Sequence, residues 1–343
     1  MNGFYDKIVA KIAGFDTEIT IMELCGSHTA AMAKSGLKDA LASSKIRFVA
    51  GPGCPVCVTP AAFITDAVRI SRLKNVEIAT FGDLVRVPGI YGETLANMDN
   101  ITVVYSPLQA VELAKTSKKE FIFLAIGFET TAPLIALAIQ KAAAENVKNF
   151  SVLSSIKTMP TAFEWILDNT DIRYFFLPGH VCAISGTENF EHKCKDYSAC
   201  GVVCGFTPEE MGFALLRLLG QPVGTVINAY KNIVKTAGNP HALALIDRYF
   251  HADTAFWRGC RYIKGSGLTL RAEYMDFSSL FKLGERATEA EIEENNGCNC
   301  GLVLTGKISP QECPHFGKKC SPISPLGPCM VSAEGACKVF YEF

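Results

Sequence analysis

The stretch Phe121–Ala144, FIFLAIGFETTAPLIALAIQKAAA, decides how the chain is read. It begins with six apolar residues, Phe121–Ile126, a run of strand length that is too short to span a bilayer. The turn Gly127-Phe128-Glu129-Thr130-Thr131-Ala132-Pro133 follows, and Thr131–Ala144 then carries a helical apolar pattern. Strand, chemically loaded turn and helix, in that order, make half of a parallel βαβ unit.

The same order repeats outward. Strands are predicted at Glu18–Leu24, Ile46–Ala50, Val76–Phe81, Ile101–Tyr105, Phe150–Ser154, Tyr174–Leu177, Gly201–Val203 and Val223–Asn228. Helices are predicted at Thr29–Ala42, Pro60–Leu73, Pro107–Lys115, Thr161–Asp168 and Pro208–Leu219. Thr59-Pro60 and Thr207-Pro208 each set a capping residue before a proline at the first helical position. So many strands suit an α/β fold of two doubly wound parallel-sheet units better than one unit. The break is placed at the polar step Lys118-Lys119, giving α/β domains over residues 1–118 and 119–238. After Gly238 the rhythm stops. Two further helices are predicted, at Ala242–His251 and Ala287–Asn295, and from Gly297 onward Gly, Pro and Cys dominate without a period of 2 or 3.6. Residues 239–343 therefore read as an irregular, partly helical C-terminal unit that folds around a cofactor.

Composition narrows the function. Apolar residues make up 49% and charged ones 20%, a globular balance. With 33 basic against 34 acidic residues there is no global field to recruit nucleic acid or anionic lipid, so neither is expected as a partner. Met1 to Asp16 hold no long uncharged core and no small-residue cleavage site, so no secretory signal is expected and the expected location is cytoplasmic. In such a setting fourteen cysteines point to metal or redox chemistry rather than structural disulfides.

Cys25-Gly26-Ser27-His28 follows a strand and enters a helix. Backbone N–H groups and the helix dipole favour a thiolate at Cys25 there. His28, three residues on, can face the same side and complete a soft-metal site. A buried Cys with a capping His is the competing reading. Gly51-Pro52-Gly53-Cys54-Pro55-Val56-Cys57 puts a C-x-x-C in the same strand-to-helix position, which suits a redox-active dithiol, with half a zinc site as the alternative. Glu129 with Thr130 and Thr131, and His180 in Leu177-Pro178-Gly179-His180-Val181, are singly more often structural than catalytic, with either threonine a candidate helix cap. Their shared position says more. All four motifs lie beyond carboxyl ends of strands, where open parallel sheets bind ligands, so thiols, imidazoles and a carboxylate are expected in one cleft.

Cys313, Cys320, Cys329 and Cys337 follow one another with six, eight and seven residues between. Four thiolates hold a [4Fe–4S] cluster, and Cys313-Pro314 matches the Cys-Pro step of ferredoxin-type runs; structural zinc draws on paired knuckles, absent here. Cys298 and Cys300 form a C-x-C that either substitutes for one or two of these ligands or is spare. Cys182, Cys194, Cys200, Cys204 and Cys260 read as small buried hydrophobes. The chain has no P-loop, no G-x-G-x-x-G and no G-x-S-x-G elbow.

The runs Met22-Glu23-Leu24-Cys25-Gly26-Ser27-His28-Thr29, Gly51 to Cys57, Gly127-Phe128-Glu129-Thr130-Thr131, Pro178-Gly179-His180-Val181, Cys313-Pro314-His315-Phe316-Gly317 and Pro328-Cys329-Met330-Val331-Ser332-Ala333-Glu334-Gly335-Ala336-Cys337 together resemble the HypD family of hydrogenase maturation proteins. The resemblance runs from about residue 5 to the C-terminus. It implies a scaffold and redox protein in assembly of the Fe(CN)2CO unit of [NiFe]-hydrogenase, working with a HypC-type small chaperone and a HypE-type cyanide donor. By the same resemblance Cys25 holds the iron with a cysteine of the small partner and His28 lies near it. Cys54 and Cys57 form the redox-active dithiol, and Cys313, Cys320, Cys329 and Cys337 hold the [4Fe–4S] cluster. Thr29, Glu129, Thr130 and His180 stand behind that site, and His28, Thr29 or Thr130 offers a hydrogen-bond donor to the cyanide nitrogens. Where the family's motif reads C-G-x-H-T-H, this chain has Ala30, which removes a second histidine ligand. A free-standing iron–sulfur disulfide reductase and a zinc-stabilised binding module are the rival readings.

Overall fold

The strands form where β-branched and aromatic runs occur, and the connections decide how they assemble. In the computed structural model, which describes residues 3–12, 17–42, 44–289 and 297–343, two sheets share the chain. The first is wholly parallel, in the order β2 (Ile46–Ala50), β1 (Ile19–Glu23), β7 (Tyr174–Leu177), β8 (Cys200–Val203), β9 (Val226–Asn228). Its second strand, β1, has Ile21 in register with Phe48 on one side and Tyr174 on the other. The second runs β4 (Ile101–Val103), β3 (Val76–Thr80), β5 (Glu120–Gly127), β6 (Phe150–Lys157) in parallel, then β11 (Arg261–Leu270) and β10 (Phe250–Trp257) antiparallel. β5 is buried from Phe121 to Gly127, as a parallel strand covered on both faces must be.

The predicted break at Lys118-Lys119 does not separate the sheets. It falls inside the second one, because β3 pairs directly with β5, Ile78 facing Ile122. The chain leaves the first sheet after β2, builds most of the second, and returns at β7. One core accordingly joins the two sheets and the tail: Leu24 and Val49, Ile122 and Leu124, and Met330 belong to it together. The hairpin β10–β11 was not foreseen. Its strands are largely solvent-facing and carry Gly265 and Gly267, and a bulge between Asp253 and Ala255 spoils their alternation.

Local differences have local causes. The predicted helix Thr29–Ala42 is two pieces, Gly26–Lys34 and Leu37–Ala40, divided at Gly36 with φ +70°. Thr207 caps Pro208–Leu219 in a reciprocal box with Glu210. Thr59 instead bonds Pro55 O at 2.8 Å, leaving Pro60 as the boundary of Ala61–Ser71. Neither hydroxyl of Thr130-Thr131 caps Ala132–Ala144: Thr131 stands at the boundary without a side-chain cap bond. Pro240–Tyr249 is helical while His251 lies on β10. Of the helix predicted at Ala287–Asn295, residues 287–289 are coil and 290–295 lie outside the described residues. Among the described residues no helix is long and apolar enough to cross a membrane.

Candidate functional site

Along the first sheet the chain steps one way from β1 to β2 and the other way from β7 through β9, so β1 and β7 flank its switch point. Ligands bind at such points, beyond the carboxyl ends. Cys25 follows β1, and Gly179-His180 follows β7.

Cys25 is the N-cap of Gly26–Lys34 and is 7% exposed. Burial pushes its thiol up to about 11, with the Glu334 carboxylate adding to the effect; Ser27 and His28 oppose it. The thiolate expected from the helix dipole is thus outweighed in the protein alone. The loop after β2 packs directly on this residue. Gly26 N–H donates to Gly53 O at 3.3 Å, and a Cβ on Gly53 would lie 2.5 Å from Cys25 N. The tail closes the other side, where Ser27 Oγ donates to the Glu334 carboxylate and a Cβ on Gly26 would meet Glu334 O at 2.6 Å.

His28 is fully buried, and burial holds it neutral, its pKa lowered to about 4. Nε2 lies 3.1 Å from Gly205 O and 3.3 Å from Cys204 O. Carbonyl oxygens only accept, so Nε2 carries the proton and Nδ1 keeps a lone pair. Nδ1 has no partner among the described residues. Phe206 stacks against His28 at 4.5 Å and against exposed His180 at 4.1 Å, which ties the two imidazoles to one ring. Thr29 Oγ1 turns back to Cys25 O at 3.5 Å, and Thr130 is exposed. Glu129 is buried; its Oε1 accepts Met159 N–H at 2.9 Å while Oε2 is without a partner among the described residues, and burial raises its pKa to about 7. Cys182, read from sequence as a mere hydrophobe, has a thiol raised by burial and by the nearby charges of Glu129 and Cys25.

The dithiol loop is equally enclosed. Cys54 caps the short turn Pro55–Val58 and its Sγ accepts Cys57 N–H at 3.4 Å. Burial raises the Cys57 thiol, which touches both Cys54 and Cys329. Cys329 in turn contacts Cys300, Cys337 and Cys57. The Cys320 thiol is raised by burial and then by three neighbouring thiols, Cys298, Cys337 and Cys313. Cys298 contacts Cys300, and a Cβ on Gly327 would fall 2.4 Å from its sulfur. The six tail thiols thus form one connected group with Cys57. Cys298, Cys313 and Cys337 neighbour Cys320, Cys298 contacts Cys300, and Cys329 contacts Cys337 as well as Cys300 and Cys57. None of the fourteen cysteines is in a disulfide, and among the described residues no group of three or more His, Cys, Asp or Glu is placed to hold a metal ion. The Cys298 thiol is raised by its bond to Cys300 and by burial, and the Cys300 thiol is pushed up to about 12, the buried Arg258 opposing both shifts.

Sequence reasoning missed the contributions of Ser332 and Glu334. The only signal for either was their place in the run ending at Cys337.

Residues 2–343 match the family described as HypD, hydrogenase formation hypA family. The chain is 40% identical over 338 residues to the hydrogenase maturation factor HypD of Rhodobacter capsulatus, covering 95% of this chain and 89% of that one. It is 36% identical to a putative hydrogenase expression/formation protein of Methanocaldococcus jannaschii, covering 98% and 95%. To the hydrogenase maturation factor HypD of Escherichia coli K12 it is also 36% identical, covering 95% and 89%.

Proposed function

The chain belongs to the HypD family and takes part in hydrogenase maturation, and on that premise we propose that it is the scaffold on which the Fe(CN)2CO centre of [NiFe]-hydrogenase is put together. Cys25 holds the cargo iron jointly with a cysteine of a HypC-type chaperone, and a HypE-type partner supplies cyanide. A thiolate donates strongly to iron that binds cyanide and carbon monoxide. Iron coordination also offsets the burial that otherwise keeps Cys25 protonated.

The tautomer of His28 revises its role. Its free Nδ1 offers a lone pair, so it suits the metal or a donor group and does not donate to a cyanide nitrogen. Thr29 spends its hydroxyl on Cys25 O. Glu129, with a free Oε2 and a pKa near 7, is better suited to present a proton-bearing oxygen to the cleft.

The resident cofactor is a [4Fe–4S] cluster held by Cys298, Cys313, Cys320 and Cys337. These residues fit it in donor type and in gathering around Cys320. When bound, the cluster supplies electrons singly to a dithiol that works in pairs. Cys329 and Cys300 bridge toward Cys57, and the tail seals the cleft from water. The observation carrying the proposal is the unbroken series of thiol neighbours from Cys54 through Cys57, Cys329 and Cys337 to Cys320, beside the Cys25 loop.

Infrared spectra of the complex purified with its small partner test this. Metal-bound CN and CO bands are expected in the wild type and absent in Cys25→Ala, with Cys54 and Cys57 still titrating as thiols. Bands that persist in Cys25→Ala would remove Cys25 as the thiolate that holds the iron, and a wild type with a working dithiol but no bands would leave the disulfide-reductase reading.

A further inference from the structure

Redox cycling of Cys54 and Cys57 moves protons as well as electrons, yet these residues are 3% and 0% exposed. Among the described residues a hydrogen-bonded route leads outward. Cys54 Sγ donates to Ser332 Oγ at 3.4 Å, and Ser332 Oγ donates to Asp83 Oδ2 at 3.1 Å. Asp83 stands exposed in the turn after β3. Ser332 is 1% exposed, and its oxygen accepts Glu334 N–H at 3.3 Å, which holds it in line. Cys57 N–H, 3.4 Å from Cys54 Sγ, favours negative charge on that sulfur once its proton has gone. Three segments far apart in the chain meet in this one line, and core packing alone does not require a serine hydroxyl to be shared between a buried thiol and an exposed carboxylate.

We infer that Ser332 and Asp83 are the proton relay of the Cys54/Cys57 dithiol. Ser332 is the catalytic hydroxyl touching the reacting sulfur, and Asp83 acts through it as the proton acceptor at the solvent edge. The inference rests on the redox reading of the pair. In oxidation by a small disulfide, both S–H bonds break and one S–S bond forms. Two electrons pass to the small disulfide, which opens to a dithiol and takes up two protons. The Cys54 proton leaves through Ser332 Oγ to Asp83 Oδ2 and from there to water. Reduction by a small dithiol reverses every step, and Asp83 returns the proton through Ser332 to the Cys54 sulfur as the S–S bond breaks.

The test uses the full-length, cluster-containing protein, held without oxygen in mixtures of dithiothreitol and its cyclic disulfide. The Cys54–Cys57 disulfide is counted by alkylation quench and peptide mass. Ser332→Ala should slow approach to equilibrium about 10²-fold from either side, the usual worth of a positioned proton carrier. Asp83→Asn should slow it by at least about tenfold, and Ser332→Thr should restore it. The final thiol–disulfide ratio should not change, because a relay speeds both directions equally, whereas a purely structural role would shift it. Equilibration of Ser332→Ala at the wild-type rate overturns the relay while leaving the dithiol intact; because Asp83 is exposed, Asp83→Asn keeps the test valid if Ser332→Ala misfolds. A wild-type chain that forms no Cys54–Cys57 disulfide in any mixture overturns the redox reading, and the relay falls with it.

Discussion

Gly53→Ala should part the two thiol loops, because an added Cβ has no room. It would sit 2.5 Å from Cys25 N, 2.6 Å from Cys25 Cα and 2.6 Å from the Leu24 carbonyl carbon. All three are backbone atoms, so no side chain can swing aside. Carbon contacts settle near about 3.5 Å, so the loops must separate by roughly 1 Å. Overpacking of this kind costs about 1–3 kcal/mol. Gly53 is outside the left-handed region, so the effect is steric rather than conformational. The bond from Gly26 N–H to Gly53 O, already 3.3 Å, is the first to be lost. Function should suffer more than stability, since a displacement near 1 Å can cost about 10²-fold in a reaction between positioned groups. Urea unfolding followed by circular dichroism reads the first effect, and the intensity of metal-bound CN and CO bands reads the second. A variant with wild-type unfolding and wild-type bands would show that the Cys25 and Cys54 loops need not touch.

Two smaller predictions concern the scaffold. Lys157 is buried, with Ser155 Oγ 2.9 Å from its Nζ and the Trp257 ring centroid at 5.9 Å, and burial lowers its pKa to about 7. The unfolded chain therefore binds this proton more tightly, and wild-type stability should rise as pH climbs from 7 toward the unfolded value near 10.4. Lys157→Met should gain about 3 kcal/mol at pH 7, after allowance for the lost amine contacts, and the advantage should shrink by pH 9 in urea melts; a gap that ignores pH contradicts the assignment. Thr207→Ala removes the capping box from Pro208–Leu219 and should cost about 1 kcal/mol in the same melts without changing metal content.

Much of the parallel framework was legible because each strand is a short apolar run ended by a turn signal. Every parallel strand forms within a few residues of its expected place, and the Cys25, Cys54 and His180 turns lie after β1, β2 and β7 as read. Which strands lie side by side was not legible, since the period of a strand shows which face is buried but not its neighbour; hence the misplaced break at Lys118-Lys119. The hairpin β10–β11 escaped because solvent-facing, glycine-bearing strands carry little apolar contrast. At Cys25 the helix dipole, worth about 0.3–1 kcal/mol, was judged without burial. A thiol carried from 9 to about 11 corresponds to about 3 kcal/mol, so burial wins. Among the tail cysteines, spacing proposes Cys329 because it is evenly placed. In the fold its thiol contacts Cys57 and Cys300 as well as Cys337, and Cys298 neighbours Cys320; the choice of Cys298 in its place is our proposal, resting on long-range contacts that spacing does not record.

That choice is the most direct place to test the account. Iron and acid-labile sulfide would be counted in Cys298→Ser and Cys329→Ser, each purified without oxygen as the full chain. Cys298→Ser should lose its cluster and brown absorbance, while Cys329→Ser should keep both and lose electron exchange between the cluster and the Cys54/Cys57 pair. A full complement of iron and sulfide in Cys298→Ser, with loss in Cys329→Ser, would contradict the account.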